Sequence, residues 1–371
     1  MTADRCALSA RFVQTSLWAR FCVKALLWCG LCFGSVWCIF EPRQPDAFRT
    51  PADLIRSKGY RCQEFTVTTQ DSYVLSMQRI PHGRTVAASI HAPRRPPVIL
   101  VHGFLSSAVE WVINYPHQSL GFLLADAGYD VWLANLRGTP YARQHLQLTE
   151  QDTEYWNFGL DEMGLYDIPA LVDYVLAWTG WSELFYVGFS QGNAAAWITL
   201  SEKPEYNAKA ALVKLNRGRV LVREPSLRYA SYTTCDTTTH MRYLCSTPGF
   251  HFLGVNHAQL NVIRRAKQFR KYSYGVWGNL ERYGHPVAPT YDLSRVRVPV
   301  AMFSSLADYL APPEDVAALR ANLWHVLVYD YVVPDPNFSH LDFVLGFRVY
   351  EILYKPMLEL LDVWSRDYLV V

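Results

Sequence analysis

The sequence predicts an α/β protein built on a mostly parallel central sheet with helices on both faces and an inserted cap. Three observations point to it. Between residues 97 and 202, short apolar runs alternate with segments of helical period, the pattern of consecutive β-α-β units. Those apolar runs, "PPVILV", "DVWLAN" and "LFYVGF", are continuous rather than alternating, as expected of strands covered on both sides. The last run passes through "GFSQG" straight into alanines, a strand turning sharply into a helix.

Ahead of these units, "EFTVTTQDSYVLSMQRI" (64–80) alternates and turns at Gln70 and Asp71, predicting an antiparallel hairpin. "PPVILVHGF" is a buried strand ending at glycine, "SLGFLLADAG" a helix stopped by glycine, and "YDVWLANLRG" a second buried strand. "EMGLYDIPALVDYVLAWTG" reads as one long amphipathic helix with a glycine cap. From about Pro204 to Arg297 the rhythm fails, and this stretch is expected to form a cap over the sheet. Regular alternation returns with the strand "VPVAMFSS", a helix near Pro313 to Leu323, the strand "HVLVYDYVV" and a last helix from Asp342. Right-handed crossovers place the chemistry beyond the carboxyl ends of such strands.

Composition narrows the function. Half of the 371 residues are apolar, enough for a large core, and 35 basic against 33 acidic side chains leave a formal +2, too balanced for a nucleic-acid binder. Neither metal-ligand spacing nor a phosphate-binding glycine loop is present, so no metal or other cofactor is expected. Residues 1–40 stand apart: Arg5, Arg11, Arg20 and Lys24 precede the uncharged run Ala25 to Phe40, which reads as a secretory signal peptide, with an uncleaved signal-anchor as the alternative. Cys6, Cys22, Cys29, Cys32 and Cys38 all lie in this leader. Beyond it, Cys235 and Cys245 either pair in an oxidising compartment or remain thiols, and Cys62 is expected as a buried free thiol.

The chemistry centres on Ser190. Gly188 and Gly192 remove the Cβ atoms that would collide in a tight strand-to-helix turn, so the serine hydroxyl is thrust out beside a helix N-terminus, where backbone N–H groups suit a developing oxyanion. Such a nucleophile needs a base and an acid to orient it, in chain order serine, acid, histidine. His340, in the loop after the last strand, is the expected base. His240, His251, His257 and His285 fall in the cap and His325 at the wrong end of a strand. Asp308, three residues past "VAMFSS", is the expected acid. Glu314, Asp315 and Asp342 are alternatives that first helical turns already explain. The backbone N–H groups of Phe104 and Gln191 are the expected oxyanion hole, with Leu105 as fallback for the first and His102 as a loop-shaping side chain.

The chain resembles the acid lipase family of α/β-hydrolases, the group of gastric and lysosomal acid lipases. The resemblance is dense over residues 53–204, through "LVHGFLSSAVEWV", "SLGFLLADAGYDVWLANLRGTPYAR", "YWNFGLDEMGLYDIPALVDYVL" and "YVGFSQGN", and resumes from "FRKYSYGVWGNLERYG" to "FSHLDF". It implies an α/β-hydrolase domain over 41–371 with a cap at about 204–297, Ser190, Asp308 and His340 as nucleophile, acid and base, and Phe104 and Gln191 as hole donors. It also implies neutral lipid esters, triacylglycerols or sterol esters, met at a lipid–water interface after export to a secreted or lysosomal location; transient contact with a membrane or lipid droplet follows, and a leader-anchored form is the alternative. The sequence departs from the family where the segment between Ser190 and Asp308 is shortened and where Asn256 replaces a common histidine. The shortened cap motivates a rival reading, a lipid-binding carrier that has lost turnover. Acyl transfer to an alcohol would use the same residues. The basic run "RRAKQFRK" (264–271) is read as a solvated helix face or an attractor of anionic lipid, and "NFS" at 337–339 is a sequon too close to His340 to be expected in use.

Overall fold

The strand β3 (Pro97–Val101), buried at all five positions, lies at the centre of a sheet that has nine strands among the described residues. A computed structural model describes residues 45–84, 94–215, 269–308 and 310–367. The chain divides into two units, Met1–Arg49 and Thr50–Val371; the first contributes a short 3₁₀ turn, Pro45–Phe48, and the second carries the sheet.

The helix α1 (Pro51–Ser57) opens this second unit with a capping box, Thr50 and Asp53 satisfying each other's backbone N–H groups. The expected hairpin is β1 (Gln63–Thr68) and β2 (Tyr73–Ile80), paired antiparallel. β2 in turn runs antiparallel to β4 (Asp130–Asn135), and the two-residue β5 (Gln144–His145) joins its outer end. From β4 onward the pairing is parallel, in the order β4, β3, β6 (Leu184–Phe189), β7 (Ala210–Leu215), β8 (Val300–Ser304), β9 (Leu327–Val332).

The period-2 geometry of a strand sends successive residues to opposite faces, and here each face has its own core. Val98, Leu100, Val131, Leu133, Phe185 and Val187 enter one cluster, together with α1, α2 (Leu120–Asp126) and the carboxyl-terminal helices. Ile99, Val101, Trp132, Ala134, Leu184 and Tyr186 enter the other, under α3 (Ile168–Thr179) and α4 (Gln191–Glu202). Burying each such side chain contributes about 1.5–3 kcal/mol, so the middle strands form the stiffest part of the molecule. β9 alternates half-buried and exposed residues, as befits the far edge strand.

Three expectations need correction. The cap does not begin at Pro204: residues 210–215 form β7, between β6 and β8, and what separates them from the described segment beginning at 269 lies outside the described residues. The long helix before β6 is interrupted. A turn Leu160–Glu162 leads into a widened π segment, Met163–Asp167, before α3. Pro169 has no N–H to donate backwards, and the glycine at 164 lets α4 approach so closely that a Cβ there would sit 2.5 Å from the Ile198 Cβ. Thr199 Oγ1 donates to the Gly164 carbonyl at 2.6 Å, taking up an acceptor in the widened turn. The final helix is likewise broken into α7 (Asp342–Leu345), a π turn at Tyr350–Tyr354 and α8 (Lys355–Asp367), after α5 (Gly275–Tyr283) and α6 (Pro313–Leu323).

A fourth correction concerns Cys62, which is half-buried rather than buried, with burial pushing its thiol up to about 12. The leader, Cys235, Cys245 and Asn256 lie outside the described residues. At the end of the basic run, Lys271 pairs with Glu202 at 2.6 Å and Arg270 donates to the Ala288 carbonyl, so these two are anchored rather than merely solvated. Among the described residues no helix is long and apolar enough to cross a membrane.

Candidate active site

At the carboxyl end of β6 the chain reverses into α4 at Ser190, whose backbone is forced to φ 49°, ψ −109°. That region is costly for a residue with a Cβ and persists only where its surroundings impose it. The two glycines show how. A Cβ at Gly188 would lie 2.8 Å from Asn193 Oδ1, and one at Gly192 would lie 2.4 Å from the Val101 carbonyl oxygen. The helix N-terminus is thus pressed against the end of β3, and Tyr186 Oη locks it by donating to the Gly192 carbonyl at 2.7 Å. Ser190 occupies the N-cap position, yet its hydroxyl is not used to cap the helix. It is 5 % exposed, and the Gln191 N–H beside it belongs to the first turn, where the helix supplies no acceptor.

The loop after β3 passes directly over this turn. A Cβ on Gly103 would lie 2.7 Å from the Phe189 ring and 3.4 Å from Ser190 Cβ, so glycine there is what permits the approach. Buried His102 fixes the loop as expected: its Nε2 accepts the Leu136 N–H at 3.1 Å, which leaves Nδ1 as the protonated nitrogen donating to the Gly103 carbonyl at 2.8 Å. Burial pushes this imidazole down to about 4, so it stays neutral. Leu105 sits in the left-handed region at φ 63°, half-exposed, turning the chain back toward a 3₁₀ helix, Ala108–Trp111. Phe104 lies between these two constraints.

Asp308 and His340 come from loops that follow β8 and β9, and the structure brings them together. His340 Nδ1 lies 3.1 and 3.0 Å from the two Asp308 carboxylate oxygens, with Asp308 1 % and His340 9 % exposed. Asp308 Oδ1 also accepts the N–H groups of Leu310 and Ala311, both at 2.9 Å, so the carboxylate is held in place from its own loop. The imidazole packs beside Phe189, ring centroids 4.9 Å apart, which places it against the residue preceding Ser190. The alternative acids stand where first-turn roles put them: Glu314 and Asp315 open α6, and Asp342 accepts both the N–H and the hydroxyl of Ser339 at 2.6 Å. His325 and His285 bond to loop carbonyls elsewhere. His240, His251 and His257 lie outside the described residues.

Three supporting residues escaped sequence reasoning. Ser305 Oγ donates to the Phe338 carbonyl at 2.5 Å and accepts the Ala307 N–H, tying the aspartate loop to the histidine loop. Asn135, at the end of β4, accepts the Ala108 N–H at 2.9 Å and donates to Gln78. Glu110 accepts the Gly103 N–H at 3.0 Å. Nearby, buried Arg137 is shared by Asp167 and Asp71 at 2.6 Å each and lies 4.0 Å from the Tyr73 ring, clamping the hairpin tip to β4 and the π segment. Burial pushes Asp167 up despite this partner, whereas in half-exposed Asp71 the guanidinium outweighs burial and holds the carboxyl low. Among the described residues no cluster of metal ligands occurs.

Comparison with known proteins gives concordant results. Residues 51–115 match a family described as a partial alpha/beta-hydrolase lipase region, and residues 96–219 one described as the alpha/beta hydrolase fold. Gastric triacylglycerol lipase of Bos taurus is 31 % identical over 373 residues, covering 86 % of this chain and 92 % of that protein. Lipase member K of Homo sapiens is 31 % identical, with 87 % and 93 % covered, and Lipase 1 of Drosophila melanogaster 32 % identical, with 83 % and 78 % covered. Among solved structures, an esterase of Pyrococcus furiosus shares the fold with a TM-score of 0.52 at 16 % identity, covering 85 % of this chain and 94 % of that one.

Proposed function

From the premise that the chain belongs to the acid lipase family of α/β-hydrolases, and is a lipid ester hydrolase, we propose that it cleaves neutral lipid esters through a serine acyl-enzyme. The observation that carries the mechanism is the Asp308–His340 pair, delivered from two separate loops to the Phe189–Ser190 turn. With Nδ1 turned to Asp308, the proton acceptor for Ser190 is Nε2. Ser190 Oγ attacks the ester carbonyl as its proton passes to His340, and the N–H groups of Phe104 and Gln191 receive the oxyanion. Collapse returns the proton to the departing alcohol. Water, activated by the same imidazole, then releases the fatty acid.

Triacylglycerols and sterol esters are the proposed substrates, reached at a lipid–water interface after export. The matched relatives are named as lipases, which gives the carrier alternative no support. A fluorophosphonate probe tests the mechanism. It is expected to label the wild-type protein at Ser190, in parallel with hydrolysis of tributyrin, and to leave Ser190→Ala unlabelled and inactive. Ester hydrolysis that survives in Ser190→Ala would overturn it.

A further inference from the structure

Beneath the turn that carries Phe104 lies a carboxyl group that the reaction does not use. Glu110 belongs to the 3₁₀ helix Ala108–Trp111, is 7 % exposed, and accepts the Gly103 N–H at 3.0 Å; the Ser106 side chain is near enough to favour its ionised form. Gly103 and Ser106 belong to the same turn, one on each side of Phe104. We propose that Glu110 is the positioning residue of the oxyanion hole, holding residues 103–106 from the core side so that the Phe104 N–H keeps its aim. This inference rests on the serine-hydrolase reading and assigns a role within it.

The environment of Glu110 sets the protonation state in which it does this. Among the described residues no ion pair reaches it. The ionisable group that senses it is Tyr354, whose hydroxyl donates to the Phe343 carbonyl at 2.8 Å. The charged groups on the elements packed around the 3₁₀ helix have partners of their own: Asp53 with Thr50, Arg56 with Glu64, Asp126 with Tyr60, Asp130 with Arg79, and Asp342 with Ser339. His102, also close to the turn, is neutral. Burial without a counter-charge pushes the Glu110 carboxyl up to about 8, against the contrary pull of Ser106 and the Gly103 N–H.

At acid and neutral pH the carboxyl is therefore protonated, and its oxygen accepts from Gly103 without a buried charge. Above about pH 8 a negative charge appears under the turn with no cation to balance it, and water must enter. The linkage has a definite sign. The folded state keeps its proton between the ordinary value of 4.5 and about 8 while the unfolded chain has lost it, so this group makes stability fall with rising pH over that window and then level off.

The test uses the full chain and a soluble short-chain ester, p-nitrophenyl butyrate, with kcat and KM resolved from pH 5 to 9.5. Glu110→Ala, which removes the acceptor, is expected to lower kcat about 10- to 100-fold at pH 6 and to change KM by less than about threefold, since the donor it positions acts in the transition state. Glu110→Gln keeps an acceptor that cannot ionise. It is expected to hold kcat within about threefold of wild type at pH 6, to lack the wild-type fall above about pH 8, and to flatten the decline of Tm between pH 4.5 and 8. Should Glu110→Ala fail to fold, the pH profile and Tm slope of Glu110→Gln decide alone. Wild-type kcat in Glu110→Ala, or an unchanged alkaline limb in Glu110→Gln, overturns the proposal while leaving the hydrolase reading intact. A wild-type protein that neither hydrolyses ester nor labels at Ser190 sinks both.

Discussion

Asp167 and Asp308 are both buried carboxylates close to the ends of parallel strands, at 0 % and 1 % exposure, and each meets a nitrogenous side chain as well as backbone N–H groups. Their partners differ in one property. Arg137, bound by Asp167, keeps its proton at any pH the protein meets, so the pair can only hold. His340, bound by Asp308 through Nδ1, has a second ring nitrogen that a guanidinium lacks as an acceptor, so in the proposed mechanism the same kind of buried pair can orient a base. The surroundings agree. Arg137 is enclosed by Tyr73 and two carboxylates, whereas His340 lies at the rim against Phe189. The sheet thus carries a clamp and, in the proposed mechanism, a working pair built from similar parts, and replacing one residue at a time should separate them.

The largest effects belong to the working pair. Ser190→Ala should lower kcat on a soluble ester by about 10⁶-fold, with Tm little changed, because the serine hydroxyl makes no cap bond to lose. Asp308→Asn should lower kcat by about 10⁴-fold: the amide still reaches His340 but favours the wrong tautomer. Steady-state kinetics beside thermal melts check both, and a loss of stability that matched the loss of rate would dissolve the contrast. The clamp should behave in the opposite way. Arg137→Ala leaves Asp167 buried without its counter-charge, with only the backbone N–H of residue 137 still donating to it, and should cost about 3–5 kcal/mol of unfolding free energy in urea, while kcat per folded molecule changes by less than about threefold.

These two regions were not equally legible in the sequence. The Ser190 turn could be read because glycine, serine and glycine at fixed spacing have one mechanical reason to stand between a strand and a helix: a Cβ at 188 or 192 would meet Asn193 or the Val101 carbonyl. Asp308 and His340 could be chosen because each follows a strand, and the structure joins them. What stayed hidden is what depends on distant partners. A buried Glu110 reads in sequence like any glutamate on a solvated turn, and the Arg137 clamp joins residues from three separate elements. β7 was missed because Ala210–Leu215 runs directly into a basic stretch, which masks a short strand, and the π segment because its apolar spacing resembles that of an α-helix.

Ser305 sharpens the comparison at its smallest scale. Its hydroxyl donates to the Phe338 carbonyl at 2.5 Å and accepts the Ala307 N–H at 3.1 Å, so one buried atom sets the spacing between the loop bearing Asp308 and the loop bearing His340. Ser305→Ala leaves the Phe338 carbonyl without that donor and should cost about 1–2 kcal/mol in denaturant unfolding. If the serine only stabilises, kcat per folded molecule will not move. If it sets the pair, kcat will fall about tenfold at unchanged KM, because a small drift of the imidazole is felt in the transition state and not in binding. The second outcome is expected: Asp308 is anchored within its own loop at Leu310 and Ala311, while the His340 loop is joined to it through the Nδ1 contact itself and through Ser305.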